Sequence, residues 1–424
     1  MASVAGQPLT LERPSGETAL LVAVAVALQA IVWALLVYLL YVHRVFYGFH
    51  DMSDTVIYLD YATKIAGGLR PYADFPVEYP PLALALLVIP SHVTQAAYDF
   101  GFSAEMIVLC TAAGALTAWA AARLWQGLGR PLAVAAAYAV AVLAAGAIIA
   151  NRYDAAVALS LAAFVFFLTR RRYALAGGAL GVGFALKLTP VMLLPLALLM
   201  ARKQRPVLTA VAAFAVLAVL PFLPFVGDVH GLSNIVTYHA QRPLQIESVP
   251  ATPFVLAGAL GSGAVTTGNS FGSQFVAATG TGMIARLSVW VGLLAVIGVY
   301  ALIWRRRDLL RAAPRYLPLA AFACIIVFTV CNKVLSPQFL VWTLPLVALV
   351  VVGDGLLQRA SGVLTLLAIA LTQVEFPVHY WSVLALDTGP VLLVAVRNVV
   401  LVGAAVSAVL ALWFLPERAT SAAP

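Results

Sequence analysis

Residues 50–87 read HDMSDTVIYLDYATKIAGGLRPYADFPVEYPPLALALL. The stretch follows one long apolar segment and runs into another. Between them it holds Asp51, Asp54, Asp60, Asp74 and Glu78 in a single polar loop, although only 10% of the chain is charged. Ionisable groups are expensive beside hydrocarbon, so carboxylates gathered between apolar segments point to a site.

The chain has 424 residues and is 63% hydrophobic, which excludes an ordinary soluble domain and implies repeated membrane spans. The net charge of +8 reads as the basic surplus of cytoplasmic loops, and no nucleic-acid partner is expected. Cys110, Cys324 and Cys331 are odd in number, fit no zinc or disulfide spacing, and read as small packing residues. No Asn-x-Ser/Thr sequon occurs.

Working outward from the loop, apolar segments lie near 19–42, 80–98, 104–126, 131–150, 155–169, 174–201, 207–226, 283–304, 316–331, 337–353, 360–376 and 389–414. Helices are the only open-chain way to satisfy backbone groups in hydrocarbon. The expected fold is therefore all-α: a multi-pass bundle of about 10–12 membrane helices, including short re-entrant pairs. Residues 1–18 and 416–424 read as cytoplasmic tails around one membrane domain, 19–415. The first segment is too long for a signal-peptide core and reads as a retained anchor.

Arg123/Arg130, Arg170–Arg172, Arg202/Lys203/Arg205, Arg305–Arg307/Arg311/Arg315, Arg359 and Arg418 should share the cytoplasmic side. They can do so only if 80–98, broken by Pro90, and 174–201, broken at Lys187-Leu188-Thr189-Pro190, are hairpins of half-helices. The loops 43–79 and 227–282, Asn151–Asp154, the Lys187 turn and Asn332–Ser336 then share the extracytoplasmic face of a plasma-membrane protein. Within 227–282, residues 257–282 are rich in Gly, Ser and Thr and read as mobile.

Several residues could carry chemistry. Residues 54–66 suit a short interfacial helix with Asp54 at its N-terminus, where Asp is either a functional carboxylate or a helix cap. Lys187, midway along an apolar stretch, needs an anion or a carboxylate partner. Arg152 either binds phosphate or pairs with Asp154. Lys333 and Gln338 stand at another helix end. Asp51, Tyr58, Asp60, Tyr79, Asp154, His239 and Arg242 are weaker candidates for contact with a substrate. No metal cluster stands out; Asp51 and Asp54 alone leave a divalent ion undecided.

Three patterns in order, Asp54-x3-Tyr58, Gly68-x2-Pro71-Tyr72 and Tyr79-Pro80-Pro81-Leu82, resemble the polyprenyl-phosphate-mannose-dependent mannosyltransferases of the GT-C class, and most closely glycosyltransferase family 87. The strings ANRYDAAVALSLAAFVFF, GGALGVGFALKLTP and NKVLSPQFLVWTLPL are similar to the same group. The resemblance covers roughly residues 20–350. It implies a GT-C fold and an inverting transfer from β-linked polyprenyl-phosphate-mannose to a lipid or lipoglycan acceptor, as in phosphatidylinositol mannoside synthesis. Asp54 matches the position of the family's catalytic aspartate. On that reading Asp54 takes the acceptor's proton, Lys187, Arg152 and Lys333 hold the donor phosphate, and no further cofactor is required. Where the eukaryotic relatives carry Asp-x-Asp, Met52 stands two residues before Asp54. Other sugars (arabinose, glucose, galactose) and a flippase for a lipid-linked sugar are the competing readings. The oligomeric state is not readable.

Overall fold

The computed structural model describes residues 15–39, 53–91 and 94–416. Asp51, most of both expected tails and part of the first polar loop lie outside the described residues. The first helix, α1 (Gly16–Val37), starts at a Ser15 cap. After α2 (Thr55–Ala66) and α3 (Pro81–Val88) come two long helices, α4 (Gln95–Leu124) and α5 (Gly129–Ala145). Then follow α6 (Asp154–Thr169), α7 (Tyr173–Leu186), α8 (Leu194–Met200), α9 (Gln204–Val219), α10 (Val229–Gln241) and α11 (Thr252–Ala259). A hairpin of β1 (Thr266–Ser270) and β2 (Ser273–Ala277) precedes α12 (Thr281–Ala312), α13 (Leu317–Cys331), α14 (Leu344–Val351), α15 (Leu356–Gln373), α16 (Tyr380–Leu384) and α17 (Thr388–Trp413).

The protein is an all-α multi-pass bundle. Among the described residues eight helical stretches are long and apolar enough to cross a membrane, and α6, α7 and α14 belong to shorter apolar ones. Helices α6 and α13 are buried on nearly every side. That is why neither shows a polar face: a helix hydrophobic all round belongs in a core. Around them the outer helices show their apolar faces outward, as Leu208, Leu294 and Val399 do.

Two expected breaks differ in form. The segment 80–98 does not form two matched half-helices. Only α3, eight residues, is a half-helix. The second limb is the opening of α4, which runs unbroken for 30 residues, about 45 Å. No proline interrupts residues 95–124, and Thr94 caps the helix by accepting from the Ala97 amide. Tyr98 donates to the Leu87 carbonyl and ties the limbs together. The segment 174–201 does double back. Tyr173 at its start donates to the carbonyl of Met200 at its end, and Lys187 sits at the far tip.

Close packing holds this second hairpin against its neighbour. A Cβ on Gly177 of α7 would stand 2.1 Å from the Ala210 carbonyl oxygen of α9, so the two backbones touch there. We expect Gly177→Val to force α7 off α9 and to lower the thermal midpoint sharply in detergent. Gly298→Ala, at a helical position with open space around it, should be neutral or raise the midpoint.

The long loop also differs from expectation. The chain stays helical through 3-10 turns at Leu220–Asp228 into α10, so the irregular part begins near Arg242 rather than at 227. The centre of the Gly/Ser/Thr-rich stretch is an antiparallel hairpin, set between the end of α11 and the start of α12. Phe271 and Gly272 both take positive φ at its two-residue turn, the backbone a tight hairpin needs. The buried Val276 joins Leu244 and Ile246 in a small core, and the Val276 amide donates to the Leu244 carbonyl.

The bundle has two unlike ends. At one, Arg130 and Arg315 both pair with Asp354, Arg171 donates to the Arg311 carbonyl near the end of α12, and Arg311 donates to the Leu199 carbonyl of α8. At the other, the Asp54 loop, Arg152, the Lys187 tip and the 242–248 and 332–338 segments surround one cavity.

Candidate active site

The cavity holds about 320 Å³. Asp54 forms one wall. It occupies the cap position of α2, yet its side chain makes no capping bond. Its Oδ2 instead lies 2.8 Å from Nε of Arg152, on the turn before α6. The cap reading of Asp54 therefore loses its basis. Tyr58, one turn along α2, is buried below and packs edge-on against Tyr79 and Tyr153 at 5.9 and 6.1 Å. These rings fix α2 against the bundle, while Val56 stays exposed and Ile57 lines the cavity beside Asp54.

Burial raises the Asp54 carboxyl above the usual carboxylate range; the Arg152 guanidinium pulls the other way without cancelling it. The side chain remains 26% exposed, so it can reach a molecule in the cavity. A carboxylate with a raised pKa is a better proton acceptor than an exposed one.

Lys187 also lines the cavity. Its Nζ lies 2.7 Å from Asp154 Oδ1 and over the rings of Tyr153, Phe339 and Trp342 at 5.1, 5.3 and 4.9 Å. Asp154 is 1% exposed, beneath the cavity rather than in its wall, and the Trp342 indole N–H also donates to it. The lysine is thus held by a carboxylate from α6 and caged by aromatic faces.

The remaining candidates divide. Tyr79, His239, Arg242, Lys333 and Gln338 all line the cavity. Lys333 Nζ already donates to the carbonyls of Ala240 and Arg242, both at 2.7 Å, and so closes the end of α10. Arg242 is less committed. It stands 5.8 Å from the Tyr238 ring, its buried Nε has no partner, and among the described residues it pairs with no carboxylate. Asp60 lies away from the cavity, 53% exposed and paired with Lys64 on the same helix. Exposed pairs of this kind contribute little. We expect Asp60→Asn to leave both the thermal midpoint and activity within error, measured beside Asp54 variants.

Sequence reasoning passed over the aromatic wall of Phe328, Phe339, Trp342, Phe376 and Tyr380. Aromatic residues are common in any membrane segment, so nothing marked these five. It also gave no role to Gln245, whose amide side chain joins two loops: Oε1 accepts from the Leu335 amide and Nε2 donates to Glu247.

A family model, glycosyltransferase family 87, matches residues 77–331. The chain belongs to glycosyltransferase family 87. It is accordingly a membrane glycosyltransferase. A search of curated proteins found no match. The family 87 match takes in Tyr79, Arg152, Asp154, Lys187, His239 and Arg242. Lys333 and Gln338 fall just past its end, and Asp54 lies ahead of its start. Asp54's link to the family-87 segment is therefore spatial, through its bond to Arg152.

Proposed function

We propose that this protein transfers a sugar, mannose first among the candidates, from a polyprenyl-phosphate donor to a hydroxyl of a membrane lipid or lipoglycan on the extracytoplasmic side. One observation carries the reading: a cavity lined by the carboxylates of Asp54, Glu78 and Glu247, by the cations Arg152, Lys187, Arg242 and Lys333, and by an aromatic side. A polyprenyl-phosphate sugar offers an anion for the cations and an isoprenoid for the apolar wall, and the acceptor hydroxyl is the partner for the Asp54 carboxylate.

On this reading Asp54 takes the proton of the acceptor hydroxyl as that oxygen attacks the anomeric carbon. The bond from that carbon to the phosphate oxygen breaks, and the electron pair leaves with the polyprenyl phosphate. Attack opposite the leaving group inverts the centre, so a β-linked donor gives an α-linked product. Phosphate leaves well without a general acid; positive charge at the departing oxygen is what the step needs. Lys187 and Arg242 are the groups proposed to supply it. Arg152 is proposed to hold Asp54 and contribute field from behind, and Lys333 to act mainly by fixing the Arg242 backbone.

A donor panel tests the reading. Purified protein in vesicles is given polyprenyl phosphates of mannose, arabinose, glucose and galactose with a mixed lipid acceptor. Mannose transfer is the expected result. Transfer of another sugar alone would keep the donor class and replace the sugar. The pH dependence is a further prediction. Protonated Asp54 cannot accept a proton, so activity falls as pH drops through its pKa. With that pKa raised in the free enzyme, the acid limb of kcat/KM should lie above the ordinary carboxylate value of about 4. Removing the Arg152 charge should move it higher still, because Arg152 lowers it.

A further inference from the structure

The arginine-rich end of the bundle carries a second cavity, of about 200 Å³, far from Asp54. Its floor is apolar and buried: Leu168, Met200 and Leu317 are 2%, 4% and 4% exposed. Its rim is Arg171, Arg202 and Lys203, all exposed; one Arg171 nitrogen donates to the Arg311 carbonyl at 3.2 Å. A fourth cation at the cavity, Arg311, is occupied by the carbonyls of Leu199 and Ala201 and by Asp308. Among the described residues no carboxylate lies within ion-pairing distance of Arg171, Arg202 or Lys203. Basic residues at this end follow from membrane orientation alone. A concave site with a buried apolar floor and no counter-charge does not.

The surface beside this cavity narrows the occupant. Pro206 of α9 borders it, and Leu208 and Val211 further along that helix are 66% and 39% exposed. The apolar outside of α9 therefore begins beside the cationic rim. A molecule with an anionic head and apolar tails matches both parts, and basic pockets between membrane helices bind such headgroups.

We propose that this cavity binds the phosphate headgroup of one anionic phospholipid, with its acyl chains laid along α9. The headgroup bridges Arg171 at the start of the α7–α8 hairpin and Arg202–Lys203 at its end. It thereby closes the open end of the element whose far tip carries Lys187.

The test uses the full chain in nanodiscs of phosphatidylcholine with and without phosphatidylglycerol. Bound lipids are counted by native mass spectrometry and the thermal midpoint is read in parallel. Wild type should retain one phosphatidylglycerol, with a preference over phosphatidylcholine on the order of tenfold or more, and should show a raised midpoint. The triple variant Arg171→Gln/Arg202→Gln/Lys203→Gln should lose both effects. Arg305→Gln/Arg307→Gln, which removes two charges outside the cavity, should keep them. Equal loss in both variants would mean diffuse surface charge and overturn the proposal, as would no loss in either. An equal midpoint shift from inorganic phosphate would overturn the lipid assignment in favour of a free-anion site. If the triple variant does not fold, Lys203→Gln alone decides, since it alters one exposed side chain. It should cut the preference about fivefold, and an unchanged preference would overturn the proposal.

Discussion

Asp54→Asn is expected to slow sugar transfer about 10²–10⁴-fold, the range for removing a positioned general base. The substitution keeps the shape and one acceptor oxygen for Arg152, but it removes the charge and the proton affinity. A fall in kcat with little change in donor KM is the expected form, because the proton moves only as the acceptor attacks. The complication is Arg152. Its side chain is 8% exposed, and Asn leaves this nearly buried guanidinium facing a neutral amide where a carboxylate stood at 2.8 Å. Breaking a buried pair from one side costs up to about 3–5 kcal/mol, less here because Asp54 is partly exposed. The double variant Asp54→Asn/Arg152→Gln separates the two effects. It should recover the thermal midpoint and remain inactive. Recovery of activity would show that the single variant failed by misfolding and that Asp54 is not the base.

The second large effect is expected at Asp154. This carboxylate binds Lys187 and the Trp342 indole at once, from a position with 1% exposure. Asp154→Ala should destabilise by about 3–5 kcal/mol through the unpaired lysine, and it should abolish transfer because Lys187 would no longer be held at the cavity. Replacing both ends, Asp154→Leu/Lys187→Met, removes the charges together. Stability should largely return, since an apolar pair of similar size often matches a buried ion pair. Transfer should not return. The double-variant cycle gives the coupling as a midpoint difference. With Asp154→Leu and Lys187→Met as the single variants, a midpoint loss in the double equal to the sum of the two single losses would mean that the ion pair does not hold this part of the bundle.

The fold was largely readable because hydrophobicity is a one-dimensional signal. Long apolar runs marked α1, α5, α12 and α17 to within a few residues at most ends, apart from the charged tail of α12. Lys187 stood out for the same reason, a charge inside a run that could not ignore it. Its partner did not, since Asp154 lies 33 residues earlier and the pairing depends on how α6 meets α7. The Asp54–Arg152 bond was equally hidden. Asp60 shows the opposite failure. It shares a loop with Asp54 in sequence, but six helical residues along α2 turn it to the outer face. Arg242 was ranked below Lys333 because both were cations near helix ends. Only packing reveals that two carbonyls occupy Lys333 while Arg242 keeps a buried Nε without a partner. In residues 257–282 composition did not show the hairpin. Its glycines serve a tight turn at Gly272 and room for the Phe275 ring at Gly268.

The most direct measurement of the central claim uses purified wild-type protein in vesicles, a labelled β-linked polyprenyl-phosphate-mannose and no nucleotide sugar. The label should pass to membrane lipid in a form that α-mannosidase releases. Label that crosses the bilayer still attached to its polyprenyl phosphate, or a product formed only when a nucleotide sugar is supplied, would contradict it.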